Sequence, residues 1–333
     1  DLIEEVGRVF GFQNIPAKAT VRTLNFKPLP EARLPEATVV AALASLGYNE
    51  VISYSFIDRE YAKLFTRAIT DELCLANPIS SEMGFMRPTL WPGLLKAIEY
   101  NANRQVDRMR IFEIGLRFTS EHDKIEQRKT IAGACYGNYL PEGWGNAKRH
   151  VDLFDVKNDV LALLKLAHNT DNVTFKPATN MALHPGQSLD IYLHDKLLGT
   201  LGVLHPQLQQ TLQLPNPVAL FEVDYDMLVM GNIPVFNSFS KFPAVRRDIA
   251  LLLNHSITAE SLQQAIKQQV GALLTDLVVF DVYTGKGVPD NQKSMALGLT
   301  LQDPERTLTD AEVNDIFTNL INMLQRDFKA SLR

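Results

Sequence analysis

The order of patterns over residues 239–333 constrains this chain more than any other feature of its sequence. A polar, aromatic-dotted connector around Ile233–Pro243 comes first, and DIALLL at 248–253 then reads as a strand. Thr258–Val270 reads as a helix, with Thr258 as its cap and Glu260 in its first turn. LLTDLVVFDVY at 273–283 is a second strand, TGKGVPD a turn and KSMALGLTLQ at 293–302 a third strand. Thr309–Phe328 is a long helix, and the short tail completes the set as a last strand. That order, β-α-β-β-α-β, is the split βαβ unit of ferredoxin-like folds.

Ahead of it lies a longer region with a different rhythm. Residues 1–12 pattern as an amphipathic helix, with Leu2, Val6, Val9 and Phe10 near one face and Asp1, Glu4, Glu5 and Arg8 largely opposite. Pro16, Pro28, Pro30 and Pro35 mark Asn14–Pro35 as an extended connector and a boundary. A helix over 36–46 stops at Gly47, VISYSF at 51–56 reads as a strand, and helix Trp91–Asn103 carries Leu94, Leu95, Ile98 and Tyr100. Strands follow at 109–118, 131–137, 189–194 and 197–204, with a helix at 152–167 and FEVDYDML at 221–228 closing the region. His194–Asp195 is the plainest hairpin turn. Helices interleaved with hairpin-joined strands make the fold class α+β rather than doubly wound α/β.

Composition narrows the function classes. No run approaches about 18 consecutive apolar residues, so no transmembrane helix is expected. The net charge of −5 argues against a chain coated in cation for bulk nucleic-acid binding, while leaving room for a local basic patch. Cys74 and Cys135 lie far apart without a CxxC, which excludes a disulfide scaffold and a zinc ribbon and favours a reducing compartment. GxSxG, GxxxxGK[ST], GxGxxG and HExxH are all absent. Gly199–Gly202 lacks the glycine count of a phosphate loop, and His184 and His205, each before a proline, read as turn histidines. The chain opens on Asp1 in helical text, and we read it as cut from something longer.

Three groups of residues remain as candidates. Asp1, Glu4 and Glu5 share one helix face, where a hard divalent cation would offset their repulsion; acids in a first helical turn also answer the helix dipole, the reading that spacing alone favours. Lys241, Arg246 and Arg247 stand at a strand entrance, suited to phosphate contact or to simple solvation. Asp281 and Tyr283 fall on the same side of a strand, where an aromatic beside an acid can stack one base and accept from its amino edge. Phe280 and Val282, alternating with them, are expected on the core face.

These runs resemble one family. KFPAVRRDIALLL and FDVYTGKGVPDNQKSMALGLTLQDPERTLTDAEV resemble the C-terminal anticodon-binding domain of bacterial phenylalanyl-tRNA synthetase β subunits. FEIGLRF at 112–118 and GTLGVLHP at 199–206 resemble that subunit's catalytic-like module, and DLIEEVGRVFGFQNIP the end of the domain before it. The resemblance implies three parts: residues 1–30 ending a preceding domain, 31–235 a class II synthetase-like module, and 239–333 the ferredoxin-like anticodon-binding domain. It implies a cytoplasmic α2β2 heterotetramer in which the α subunit binds ATP, makes phenylalanyl-adenylate and charges tRNA(Phe). The β module would carry no catalytic residue, and the isolated chain would be inactive. Arg110-Ile-Phe-Glu113 resembles the Arg-x-Glu strand that grips ATP in catalytic members. No glycine-rich strand ending in a second triphosphate-binding arginine appears before residue 235, which leaves one phosphate clamp missing. Carried over by residue, Asp1, Glu4 and Glu5 match magnesium ligands, with a further acidic ligand expected upstream. Asp281, Tyr283 and Ser294 match positions that meet the anticodon, the tyrosine stacking on a base; Lys241, Arg246 and Arg247 are added from charge and placement. A free-standing RNA-binding protein and a synthetase-paralogue amino-acid ligase are the competing classes.

Overall fold

The longest ladder among the described residues joins two strands close in sequence: Arg108–Glu121 pairs antiparallel with Lys124–Gly137 along its whole length. A computed structural model describes residues 1–19, 21, 30–121, 124–236 and 238–333. The connector expected at Asn14–Pro35 falls in part on residues 20 and 22–29, outside the described residues. The chain divides into two units, Asp1–Pro234 and Val235–Arg333.

In the first unit, α1 is Leu2–Phe10, α2 Glu36–Ser45, β1 Asn49–Glu50, β2 Phe56–Ile57, α3 Arg59–Ala62, β3 Phe85–Met86 and α4 Trp91–Ala102. The long ladder is β4 and β5, followed by α5 Leu153–Leu166, β6 Val173–Pro177, β7 Leu183–Leu193 and β8 Lys196–Leu204. Helix α6 Pro206–Thr211, β9 Val218–Asp224 and α7 Tyr225–Val229 complete it. Seven strands form one sheet in the order β1-β4-β5-β9-β8-β7-β6, antiparallel except for the short β1–β4 pairing, while β2 and β3 pair separately.

Helices α2 and α5 cover one face of the sheet through Val39, Leu43, Val156, Val160 and Leu163 against Phe112, Ile131 and Phe221. Helix α4 covers the other through Trp91, Leu94, Leu95 and Ile98; Tyr100, on the same helix, is exposed. Local chemistry sets the element ends. Gly47 at φ +85° ends α2 and lets the Tyr48 N–H reach back to the Leu43 carbonyl. Asp152 and Asp155 form a capping box at the start of α5. His194 and Asp195 both take left-handed φ values, +48° and +63°, as a two-residue hairpin of the I′ kind requires.

VISYSF is not the strand its composition suggests. Beyond β1 its backbone runs beside β4, with Val51 N–H donating to the Phe112 carbonyl, and Ser53 N–H then donates to the Glu113 carboxylate at 3.3 Å. A buried side chain has replaced the next rung of the ladder. The strand Val173–Pro177, which the pattern reading passed over, pairs with β7 at the sheet edge.

In the second unit, β10 is Val245–Asn254, α8 Ala259–Val270, β11 Leu274–Tyr283, β12 Gln292–Leu301, α9 Asp310–Phe328 and β13 Ser331–Leu332. The sheet order β11-β12-β10-β13 is that of a ferredoxin-like split βαβ unit, as the element order indicated. Both helices pack on one face, where Leu262, Ile266, Leu320 and Leu324 meet Ile249, Leu251, Met295, Leu297 and Leu299. The opposite face is left open.

Candidate nucleic-acid interface

Register decides which side chains reach that open face. Leu297 and Met295 of β12 belong to the helix-covered core, so their alternates Ser294, Ala296 and Gly298 point the other way. Tyr283 pairs directly with Ser294 and Asp281 with Ala296, which puts Asp281, Tyr283 and Ser294 together on the open side. On β10, Arg246 pairs with Thr300 and Asp248 with Gly298, the same side again.

The expectation that Phe280 takes the core face does not hold; Val282 pairs with Met295 on the helix side as expected, but at the sheet edge it is left exposed. Phe280 is 52% exposed, more than Tyr283 at 38%. The ladder slips between Val279 and Asp281, so Phe280 is the extra residue of a bulge, and β11 is an edge strand. The bulge turns Phe280 towards the open face, where the Arg246 guanidinium lies 5.9 Å from its ring centre. Gly298 makes that approach possible: a Cβ there would stand 2.6 Å from Arg246 Nη2.

The last residue of the chain closes the arrangement. Arg333 N–H donates to the Ala250 carbonyl, which extends β13 along β10. Its Nη1 donates to Ser294 Oγ at 3.2 Å and its guanidinium sits 5.3 Å from the Tyr283 ring centre. Tyr283 in turn donates its hydroxyl to the Lys286 carbonyl at 3.3 Å, which anchors the ring over the turn. Two aromatics and two guanidiniums therefore line one sheet face beside Asp281 and Ser294. Sequence reading missed Phe280 and Arg333 here; an arginine in a tail expected to add a strand was the available signal for the second.

The other candidates part company with this set. Arg247 pairs with Leu299, on the helix side, and reaches Asp310 at the start of α9 at 3.5 Å. Arg246 is bound to its neighbour Asp248 at 3.0 Å on the open face, and Lys241 is exposed in the bend before β10. The three cations thus do not form one patch.

The acidic face of α1 does not assemble a metal centre. Glu5 accepts from Arg8 at 2.5 Å, Asp1 makes no side-chain cap, and among the described residues no three His, Cys, Asp or Glu side chains gather as a metal would need. The Leu2, Val6, Val9 and Phe10 face of the same helix is exposed.

Arg110 and Glu113 are three residues apart on β4, an odd spacing that sends them to opposite sheet faces. On the α5 side, Arg110 is bound to Asp159, which also accepts from the Tyr48 hydroxyl at 2.7 Å. Burial pushes the Asp159 carboxyl up, against the Tyr48 hydrogen bond and the Arg110 charge. Burial also pushes the neighbouring Cys135 thiol up to about 11, so it stays neutral. On the α4 side, Glu113 accepts from Arg87 at 2.8 Å and from Ser53 Oγ at 2.6 Å. Neither residue is left to hold a triphosphate. His184 and His205 accept through Nδ1 from Gly186 and Gln207 N–H, as turn histidines do.

The fold and the open face together define a class: an α+β chain whose second unit is a ferredoxin-fold anticodon-binding domain, the description of the family model that matches residues 240–333. Residues 15–225 match the model of the phenylalanyl-tRNA synthetase beta chain CLM domain, and the chain belongs to that family. Over all 333 residues it is 44% identical to the phenylalanine–tRNA ligase beta subunits of Pseudomonas putida and of Methylococcus capsulatus, and 40% identical to that of Hahella chejuensis. It spans 42% of the length of each. A solved pyrrolysyl-tRNA synthetase from Desulfitobacterium hafniense aligns at TM-score 0.44 with 16% identity, over 59% of this chain and 67% of that one; a likeness so loose carries no argument.

Proposed function

We propose that this chain is the non-catalytic β portion of a phenylalanine–tRNA ligase, and that its second unit reads the tRNA anticodon on the open sheet face. The observation that carries the reading is the meeting of Tyr283, Ser294 and Arg333, with Phe280, Arg246 and Asp281 beside them. Unstacked anticodon bases offer flat faces to Tyr283 and Phe280, phosphates to the two guanidiniums, and amino edges to Asp281. The first unit would serve as scaffold for an α subunit in an α2β2 assembly, with ATP bound by α. Closure of Arg110 by Asp159 and of Glu113 by Arg87 supports that division of labour. A magnesium ion at Asp1, Glu4 and Glu5 would require Glu5 to leave Arg8 and a further oxygen ligand from outside the three. The assembly would work in the cytoplasm; among the described residues no helix is long and apolar enough to cross a membrane.

The test is binding of tRNA(Phe), by the chain assembled with its α partner, against the same tRNA with its anticodon bases replaced. A loss of about 10-fold or more is expected, the worth of one or two stacked and hydrogen-bonded bases. Equal affinity would contradict the anticodon reading.

A further inference from the structure

The first unit carries a concavity of about 740 Å³, within the range of small-molecule pockets, that the scaffold role leaves unused. Three segments distant in sequence form it: residues 65–67 after α3, residues 178–183 leading into β7, and His205 with Gln207 at the start of α6. Backbone hydrogen bonds fix these segments. Phe65 N–H donates to the Ala62 carbonyl at 3.0 Å, and His205 N–H donates across to the Ala182 carbonyl at 2.9 Å.

Local hydrogen bonds decide what the polar lining still offers. Asn180 Oδ1 accepts from Ala182 N–H at 2.9 Å, which leaves the amide's Nδ2, a donor. His205 Nδ1 accepts from Gln207 N–H at 3.2 Å, so the neutral ring carries its proton on Nε2. Thr66 Oγ1 accepts from Ala68 N–H at 3.1 Å and keeps its own O–H to donate. In each case an acceptor is occupied and a donor remains. Arg67 adds a guanidinium that makes no hydrogen bond or ion pair among the described residues, and among those residues no carboxylate lines the concavity. Phe65, Met181, Leu183 and Pro185 supply an apolar wall beside these donors.

We propose that this concavity binds a small phosphate monoester, its phosphate on Arg67, Asn180, His205 and Thr66 and its organic body against the apolar wall. A cation among neutral donors, with no acid to answer it, selects an anion over a cation or a neutral molecule. A carboxylate spreads two oxygens in one plane, whereas the three terminal oxygens of a phosphate monoester diverge and can each meet a different segment. The site belongs to the first unit alone and does not rest on the anticodon reading.

Titration of the full chain with phenyl phosphate, followed by ligand-observed NMR, tests the proposal. Benzoate, which keeps the ring but not the phosphate, and inorganic phosphate, which lacks the ring, serve as controls on the unaltered protein. Phenyl phosphate should bind saturably with a Kd of about 1 mM or tighter, and each control about 5-fold more weakly or worse. Arg67→Gln removes the charge. Asn180→Asp keeps an oxygen to accept from Ala182 N–H but replaces the donor by a carboxylate. Each substitution should weaken phenyl phosphate binding by about 10-fold or more, with thermal melting as the folding control. No saturable binding of phenyl phosphate, either control binding as tightly, or both variants binding like the parent would overturn the proposal. Because the control comparison uses the unaltered chain, it decides even if a variant fails to fold. tRNA affinity of the same variants, assembled with the α partner, is expected to stay unchanged, which separates this result from the anticodon test.

Discussion

At the scale of single residues, the most consequential interactions are buried charges that hold loops in place rather than perform chemistry. Arg87 and Glu113 have side chains only 3% and 4% exposed, and Ser53 and the Leu116 carbonyl complete their hydrogen bonding. A buried pair so satisfied adds little over apolar packing, but removing one partner strands a charge. Glu113→Ala is therefore expected to destabilise the first unit by about 3–5 kcal/mol in denaturant unfolding. Replacing both partners, Arg87→Met with Glu113→Leu, should recover much of that loss. A Glu113→Ala variant as stable as the parent would show that the pair is not what fixes residues 51–55 beside β4.

At the scale of elements, α9 shows how local signals set boundaries. Thr309 accepts from Glu312 N–H while the Glu312 carboxylate accepts from Thr309 N–H and from Arg306 Nη1 at 2.6 Å. Thr309→Ala should cost about 1 kcal/mol, the usual worth of such a cap, seen as a lower unfolding midpoint. The Thr309 N–H, then Arg306 and the Thr309 hydroxyl, hold the Glu312 carboxyl down at about 2, against an ordinary 4.5. A carboxyl depressed on folding contributes stability that is complete above its unfolded value and is lost as pH falls through the folded one. The second unit should therefore lose melting temperature between about pH 5 and about pH 2 in part through Glu312, and Glu312→Gln should flatten that decline. An equally steep decline in the variant would mean that the capping box does not carry the dependence. These boundaries were legible in the sequence because caps and turns are made by neighbours. The α9 start at Thr309, the Gly47 stop and the His194–Asp195 turn all stand where the residue types indicated.

At the scale of the whole chain, legibility falls wherever distant segments decide. Element order fixed the split βαβ arrangement of the second unit, since a helix between strands leaves few ways to pair them. Alternation could not show that β11 lies at an edge or slips at Phe280, because a bulge depends on the partner strand. For the same reason alternation alone puts Phe280 in the core, and charge alone groups Arg247 with Arg246 although neighbours on a strand face opposite ways. Arg333 joins Ser294 and Tyr283 only after the tail adds to β10. The seven-stranded sheet hid more, since Arg110 and Glu113 look like one motif in sequence and are answered by two different partners in space.

The claim on which the functional account turns is that Tyr283 offers its ring to an RNA base rather than to the core. It is tested most directly by measuring tRNA(Phe) affinity of the assembled protein carrying Tyr283→Ala and Tyr283→Phe, with thermal melting of each. Tyr283→Ala should weaken binding by roughly 5- to 150-fold, the worth of about 1–3 kcal/mol of stacking, while Tyr283→Phe keeps the ring and loses far less. Both variants should melt close to the parent, because the ring is more than a third exposed. A Tyr283→Ala variant that unfolds at markedly lower temperature yet binds tRNA(Phe) as tightly as the parent would make the residue part of the core and remove the anticodon from this face.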